Sequence, residues 1–348
     1  MKKVFGIFLS LIVLMGLSAC EKGHSALTFV SSGESTISLV KEGEPFDVSL
    51  EYSLDGKSWK PYAIGETMYL LNEGELSLRA GKTGNERFSK GINDYYQFDI
   101  SGEVAAKGSI MSLLDRSCRK NTVPSYAFFN LFCNCEGLTE APELPATELS
   151  GLCYSNIFSD CTSLIKAPKL PAMKLAEWCY SGMFSGCTSL KNAPVLSATE
   201  LSKSCYFFMF YDCRSLKNAP VLPATRLAEC CYSGMFQECT SLKSAPLLPA
   251  TELAAFCYST MFSGCTSLAK APELPVTELA EHCYSGMFYG CTNLNYVKAL
   301  FTDEPSEEAT YNWLSGVSST GTFVKSKEAK WDVRGVSGIP EGWNVVTE

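Results

Sequence analysis

The stretch CYSGMFSGCTSLKNAPVLSATEL, from Cys179 to Leu201, decides the fold, because variants of it recur through the chain at a fixed step of 26 residues without a gap. One cysteine column reads Cys153, Cys179, Cys205, Cys231, Cys257, Cys283, and a second reads Cys135, Cys161, Cys187, Cys213, Cys239, Cys265, Cys291. Tyrosine (Tyr154 to Tyr284), phenylalanine (Phe132 to Phe288), leucine (Leu138 to Leu294) and proline (Pro142 to Pro272) columns keep the same step. Within the unit, Cys179, Tyr180, Met183, Phe184 and Cys187 share one face if the segment is a short helix, so the spacing predicts a helical turn or two there. Leu190 to Pro194 reads as a short strand that the proline, lacking an N–H, cuts off. A unit with a single apolar side cannot bury it alone. Stacking about seven units at a strand spacing of about 4.8 Å predicts a solenoid some 35 Å long, with a parallel sheet on one side.

The same residues carry a family resemblance. The M-F-x-x-C-T-S-L block (Met183 to Leu190) resembles the A-F-x-x-C-x-x-L signature of BspA-type leucine-rich repeats, found in surface proteins of anaerobic bacteria. The resemblance covers roughly Tyr126 to Leu300, about half of the chain, and implies an α/β leucine-rich-repeat solenoid on a surface protein. In that family the period is shorter, and an isoleucine-rich strand stands where this chain has A-P-x-L-P-A-T-E-L.

Outward from the repeat, the chain changes character twice. Residues 26–105 alternate short apolar runs (STISLV, DVSLEYSL, TMYLL, LSLRA, YYQFDI) with Gly- and Asn-rich turns, and Asp55-Gly56 is a hairpin signal. They predict a small antiparallel β-sandwich that shields the first coil. The solenoid is expected over 106–325, its last coil degenerate (Leu314 and Val317 keep the step). A cap at 326–348 is expected to lie across the open end, with Trp331 and Trp343.

The N-terminus sets the compartment. Lys2 and Lys3 precede an apolar run from Val4 to Leu17, too short for a comfortable span and laid out as a secretory signal. Leu17-Ser18-Ala19-Cys20 resembles a bacterial lipobox, which implies a signal peptide over 1–19, diacylation of Cys20, a linker over 20–25 and a lipid-anchored, surface-exposed protein of the outer membrane.

Hydrophobic residues at 46 % against 19 % charged exclude wholesale disorder, and a net charge of −8 offers no field for nucleic acid. Seventeen cysteines in an exported chain would ordinarily mean disulfides. Within one column, however, the Cβ vectors run parallel, so the columns read as ladders of small buried thiols. Cys118, Cys133 and Cys230 break the pattern and stand out as the reactive ones. The C-x₇-C spacing is not that of zinc ligands, and with two histidines no metal and no cofactor are expected. His24 falls in the linker, and His282 occupies a column that otherwise varies freely (Leu152, Trp178, Ser204, Cys230, Phe256). No nucleophile, phosphate or dinucleotide motif is present, so the chain reads as a non-enzyme.

Two variable columns flank the strand. One reads Thr139, Ile165, Lys191, Lys217, Lys243, Ala269, Asn295; the other reads Glu143, Lys169, Val195, Val221, Leu247, Glu273. Lys191, Lys217 and Lys243 make a positive row suited to an acidic or sulfated ligand. Tyr52, Trp59 and Tyr62 form a second candidate, an aromatic set for stacking on sugar rings. The expected role is adhesion to a host or bacterial surface protein or a glycan through the solenoid. The alternatives are glycan capture through the sandwich, or a structural place in the envelope.

Overall fold

The computed structural model describes residues 25–348. The lipobox with Cys20, and His24, lie outside the described residues. The chain is a β-solenoid whose coils advance by 26 residues, and the helical expectation is overturned. Among the described residues the one helix is a 3₁₀ turn at Ile110–Leu113. The repeat segments read as helical are arrays of consecutive tight turns. From Trp178 to Gly186, left-handed backbone recurs every fourth residue, at Trp178 (φ 58°), Gly182 (φ 60°) and Gly186 (φ 71°). No right-handed helix survives that.

The backbone donors divide accordingly. Tyr180, Gly182, Phe184 and Gly186 donate to Cys205, Phe207, Met209 and Tyr211 of the next coil at 2.8–3.0 Å. Ser181, Met183, Ser185 and Cys187, between them, donate three residues back within their own coil. Alternate N–H groups thus tie coil to coil. The apolar spacing of 1, 3, 1, 3 is a period of four rather than 3.6. A Cβ at Gly186 would stand 2.1 Å from Asp160 Oδ1, so a side chain there requires the Asp160 carboxylate to swing aside.

The expected parallel sheet is likewise reduced. Through most coils the proline segment makes single bridges, such as Leu170↔Leu196, Lys174↔Glu200 and Asn218↔Ser244. Proline in each coil removes a ladder donor. Tyr296 to Ala299 has Lys298 where earlier coils have proline, and there strands appear at once. In the order used below, the strands are β1 Leu27–Ser31, β2 Ser35–Glu42, β3 Leu50–Ser53, β4 Lys60–Tyr62, β5 Met68–Leu70, β6 Glu75–Ala80, β7 Tyr95–Ser101, β8 Val104–Lys107, β9 Thr122–Val123, β10 Leu138–Glu140, β11 Glu148–Leu149, β12 Tyr296–Ala299, β13 Gly321–Lys325 and β14 Trp343–Thr347. β12, β13 and β14 form a parallel sheet in that order.

Side chains fill the coils as ladders. Tyrosine rings stack from Tyr154 to Tyr284 and phenylalanine rings from Phe132 to Phe288, with neighbouring centroids 5.6–6.1 Å apart. Both cysteine columns are fully buried beside them. From Cys161 onward each thiol of the second column donates to the phenylalanine carbonyl one coil back, as in Cys161 to Phe132 and Cys187 to Phe158 at 3.1 Å, and Cys135 donates to the Phe98 carbonyl of the N-terminal sheet. The thiol combines small apolar volume with one weak donor, which alanine lacks.

The N-terminal strands build two antiparallel sheets, β8-β1-β6-β3-β4 and β5-β2-β7. Phe29 and Phe98 meet between them, ring centroids 5.2 Å apart. Asp55 closes the β3–β4 hairpin by accepting from Lys57 N–H and Ser58 N–H at 2.8 and 2.6 Å. This unit continues into the first coil. β10 joins β8 in parallel, Phe88 and Phe98 donate to the Ala127 and Leu131 carbonyls, and their rings stack on Phe128 and Phe132.

At the other end the tail adds one more parallel rung, β14, rather than lying across the opening. Trp331 sits on Phe301 with centroids 4.8 Å apart. The indoles of Trp313, Trp331 and Trp343 donate to the carbonyls of Gly338, Phe301 and Ser318.

Candidate binding face

The proline segment carries the outward positions of coils 179–201, 205–227 and 231–253. Leu190, Leu216 and Leu242 are fully buried, and so are Leu196, Leu222 and Leu248. Between these anchors the chain must turn Lys191 and Val195, and their counterparts, to solvent. Lys191, Lys217 and Lys243 are exposed, and Lys243 N–H donates to the Lys217 carbonyl at 3.0 Å, so adjacent lysines stand on adjacent rungs. Val195, Val221 and Leu247 are 77 %, 77 % and 82 % exposed. Three aliphatic side chains held out in file by the same coils that carry three lysines form an apolar ridge with a basic row beside it. Fixing a valine in solvent stabilises nothing in the fold.

Several other lysines on the solenoid are neutralised by an acid of the neighbouring coil: Lys174 by Glu200 at 3.4 Å, Lys203 by Glu229 at 2.7 Å, Lys298 by Glu273 at 3.4 Å. Among the described residues Lys191, Lys217 and Lys243 form no such pair. Their charge is left to solvent on a molecule that is acidic overall. The lysine row was legible in the sequence. The ridge was visible only as a variable column, because exposure depends on where the buried leucines anchor the chain.

The aromatic set is placed differently from a stacking platform. Tyr62 is buried, its hydroxyl donating to the Glu66 carbonyl at 2.6 Å and accepting from Leu39 N–H at 3.0 Å. Tyr52 packs edge-on against Tyr62, with centroids 6.5 Å apart. Trp59 is half-buried, and the Arg79 guanidinium covers its ring at 3.9 Å. The three residues do not share an open face.

The three irregular cysteines are not activated either. Cys118 is buried and Cys133 and Cys230 are half-buried. Burial pushes the thiols of Cys118 and Cys133 up to about 11 and raises that of Cys230 as well. A reactive cysteine needs the opposite shift, toward thiolate. The sixteen described cysteines are all free.

An open groove of about 730 Å³ runs along another edge, lined by Thr147, Glu148, Lys174, Glu177 and Ser202 among others. Lys174 there is engaged with Glu200. Among the described residues no helix is long and apolar enough to cross a membrane. No family model, no curated protein and no solved structure matches the chain.

Proposed function

We propose that this chain is a cell-surface lipoprotein of the BspA type, a leucine-rich-repeat variant whose helices are replaced by stacked turns, carried on a small N-terminal β-sandwich. In this reading it is anchored through Cys20 to the outer membrane. It attaches its cell by binding an acidic protein surface, not by catalysis. The observation that carries the reading is the pairing of exposed Val195, Val221 and Leu247 with unpaired Lys191, Lys217 and Lys243 on the same three coils. The lysines favour an anionic partner and steer its approach. The aliphatic ridge favours a protein over a sulfated glycan, since only the protein offers apolar side chains to desolvate it.

The test is adhesion of cells displaying the full chain to immobilised target cells. Charge reversal (K191E, K217E and K243E together) is expected to lower adhesion about tenfold or more and to flatten its salt dependence. The V195S, V221S and L247S combination lowers adhesion without changing that dependence. Protease treatment of the target abolishes attachment and glycosidase treatment spares it. Unchanged adhesion in both variants overturns the reading, as does a loss caused by glycosidase alone.

A further inference from the structure

We propose that Glu281, His282 and Glu308 form a binding site for one divalent first-row transition ion, which staples the last two coils together. One ligand atom from each residue lies within 4.8 Å of the other two. His282 Nε2 stands 4.0 Å from Glu281 Oε1. His282 and Glu308 are 26 residues apart, so they occupy one column on adjacent coils, and Glu281 flanks them. The imidazole is already oriented, for it lies on the Phe256 ring with centroids 4.5 Å apart and planes 18° apart.

Two further observations separate this spot from an ordinary acidic edge. Along this side of the solenoid an acid of one coil meets a lysine of the next, as in Lys174–Glu200 and Lys203–Glu229. In the column of Glu281 the neighbouring coils carry Ala255 and Glu307, so no lysine faces it there. Among the described residues no lysine or arginine pairs with Glu281 or Glu308, and their charge converges on one imidazole. The backbone also changes there. Leu152, Trp178, Ser204, Cys230 and Phe256 each donate to the carbonyl 25 residues on, in the next coil, at 2.9–3.1 Å. The sixth rung, from His282 N–H to the Glu307 carbonyl, is not formed among the described residues. The three ligands stand at that gap.

One imidazole nitrogen and two carboxylate oxygens suit a borderline divalent ion. Calcium and magnesium prefer oxygen alone, and the structural zinc sites of proteins draw on thiolates. Bonds of about 2.1 Å bring neighbouring ligand atoms about 3 Å apart, so side-chain rotation on an exposed edge completes the site without moving the coils. The column looked freely variable in sequence because a site made once, at the end of a repeat array, leaves no periodic trace.

The test is titration of the reduced full chain with Co²⁺ alone, followed by visible absorption and thermal unfolding. One equivalent is expected to bind with a weak nitrogen–oxygen ligand-field spectrum and to raise the melting temperature. H282N, whose new side chain tolerates left-handed backbone, is expected to weaken binding about tenfold or more, and E308Q likewise. The folded H282N/E308Q double variant loses the thermal shift. No saturable binding overturns the proposal. So does binding that persists in the double variant, or a thiolate charge-transfer band, which would place the ion on cysteine.

Discussion

The protein is expected to unfold in alkali within about one pH unit, with its midpoint between about pH 9 and 10.5. The cause is the thiol interior. Burial pushes Cys153, Cys205, Cys283 and Cys291 up to about 12 and raises the remaining ladder thiols as well. In the unfolded chain a thiol titrates near 8.5. The folded value lies above the unfolded one, so this contribution to stability is fully present below about pH 8.5 and is lost as pH rises from there through the folded value. Over that window the native state holds protons that the unfolded state has released.

Each fully buried thiol forfeits about 1.4 kcal/mol per pH unit once its unfolded counterpart is ionised. Fourteen of the described cysteines are buried. Together they withdraw on the order of 20 kcal/mol per pH unit, more than the roughly 5–15 kcal/mol that holds a typical fold. The buried tyrosine row, also raised by desolvation, steepens the loss further up the scale. Far-UV circular dichroism against pH, with return to pH 7 to check reversibility, measures it. Retention of the full signal at pH 11 would show that the interior is not built of desolvated thiols.

Removing the closing strands has the second large effect. A chain ending at Ser318 lacks β13 and β14 and uncovers Leu294, Val297, Phe301 and Trp313, all buried in the intact protein. Exposing four such side chains costs roughly 6–12 kcal/mol at about 1.5–3 kcal/mol each. Trp313 Nε1 loses its acceptor at Gly338, and β12 becomes a bare edge. The expected result is a chain that aggregates when expressed, with broad and lowered thermal unfolding where it stays soluble. Trp331→Ala, which removes the ring packed on Phe301 and Phe323 and its hydrogen bond to the Phe301 carbonyl, probes the cap alone and is expected to cost about 3–5 kcal/mol. A truncated chain that remains monomeric with an unshifted melting temperature would mean that the solenoid closes by itself.

What the sequence made legible follows from what repetition can encode. A core position repeated in every coil is read directly, so the period, the buried columns and the place of the rings were all accessible. The local conformation was not. Nine residues from Cys179 to Cys187 are too few to separate a period of four from one of 3.6, and the apolar face looks the same in both. The discriminating signal was Gly182 and Gly186 standing four apart, with Asn156 and Asp160 in the same columns, residues that tolerate left-handed backbone. Proline weakened the strands further than expected because it recurs in register and so removes the same rung coil after coil.

The binding face was half legible. Charge names a lysine row from sequence alone, whereas an exposed valine is indistinguishable from a buried one until the flanking leucines are placed. Tyr62 failed as a platform residue for the converse reason: its hydroxyl found buried partners, and an aromatic in a strand is core as readily as surface.

The solenoid interior depends on cysteines that are reduced, buried and part of the coil-to-coil bonding. Mass spectrometry after alkylation, without reductant, tests that most directly. On native protein at pH 7.5 it should show at most two modified cysteines among the sixteen described, Cys133 and Cys230, the two that are not fully buried. After denaturation all sixteen should react. Ten or more modified in the native state, or six or more disulfides left unreactive after denaturation, would contradict the account.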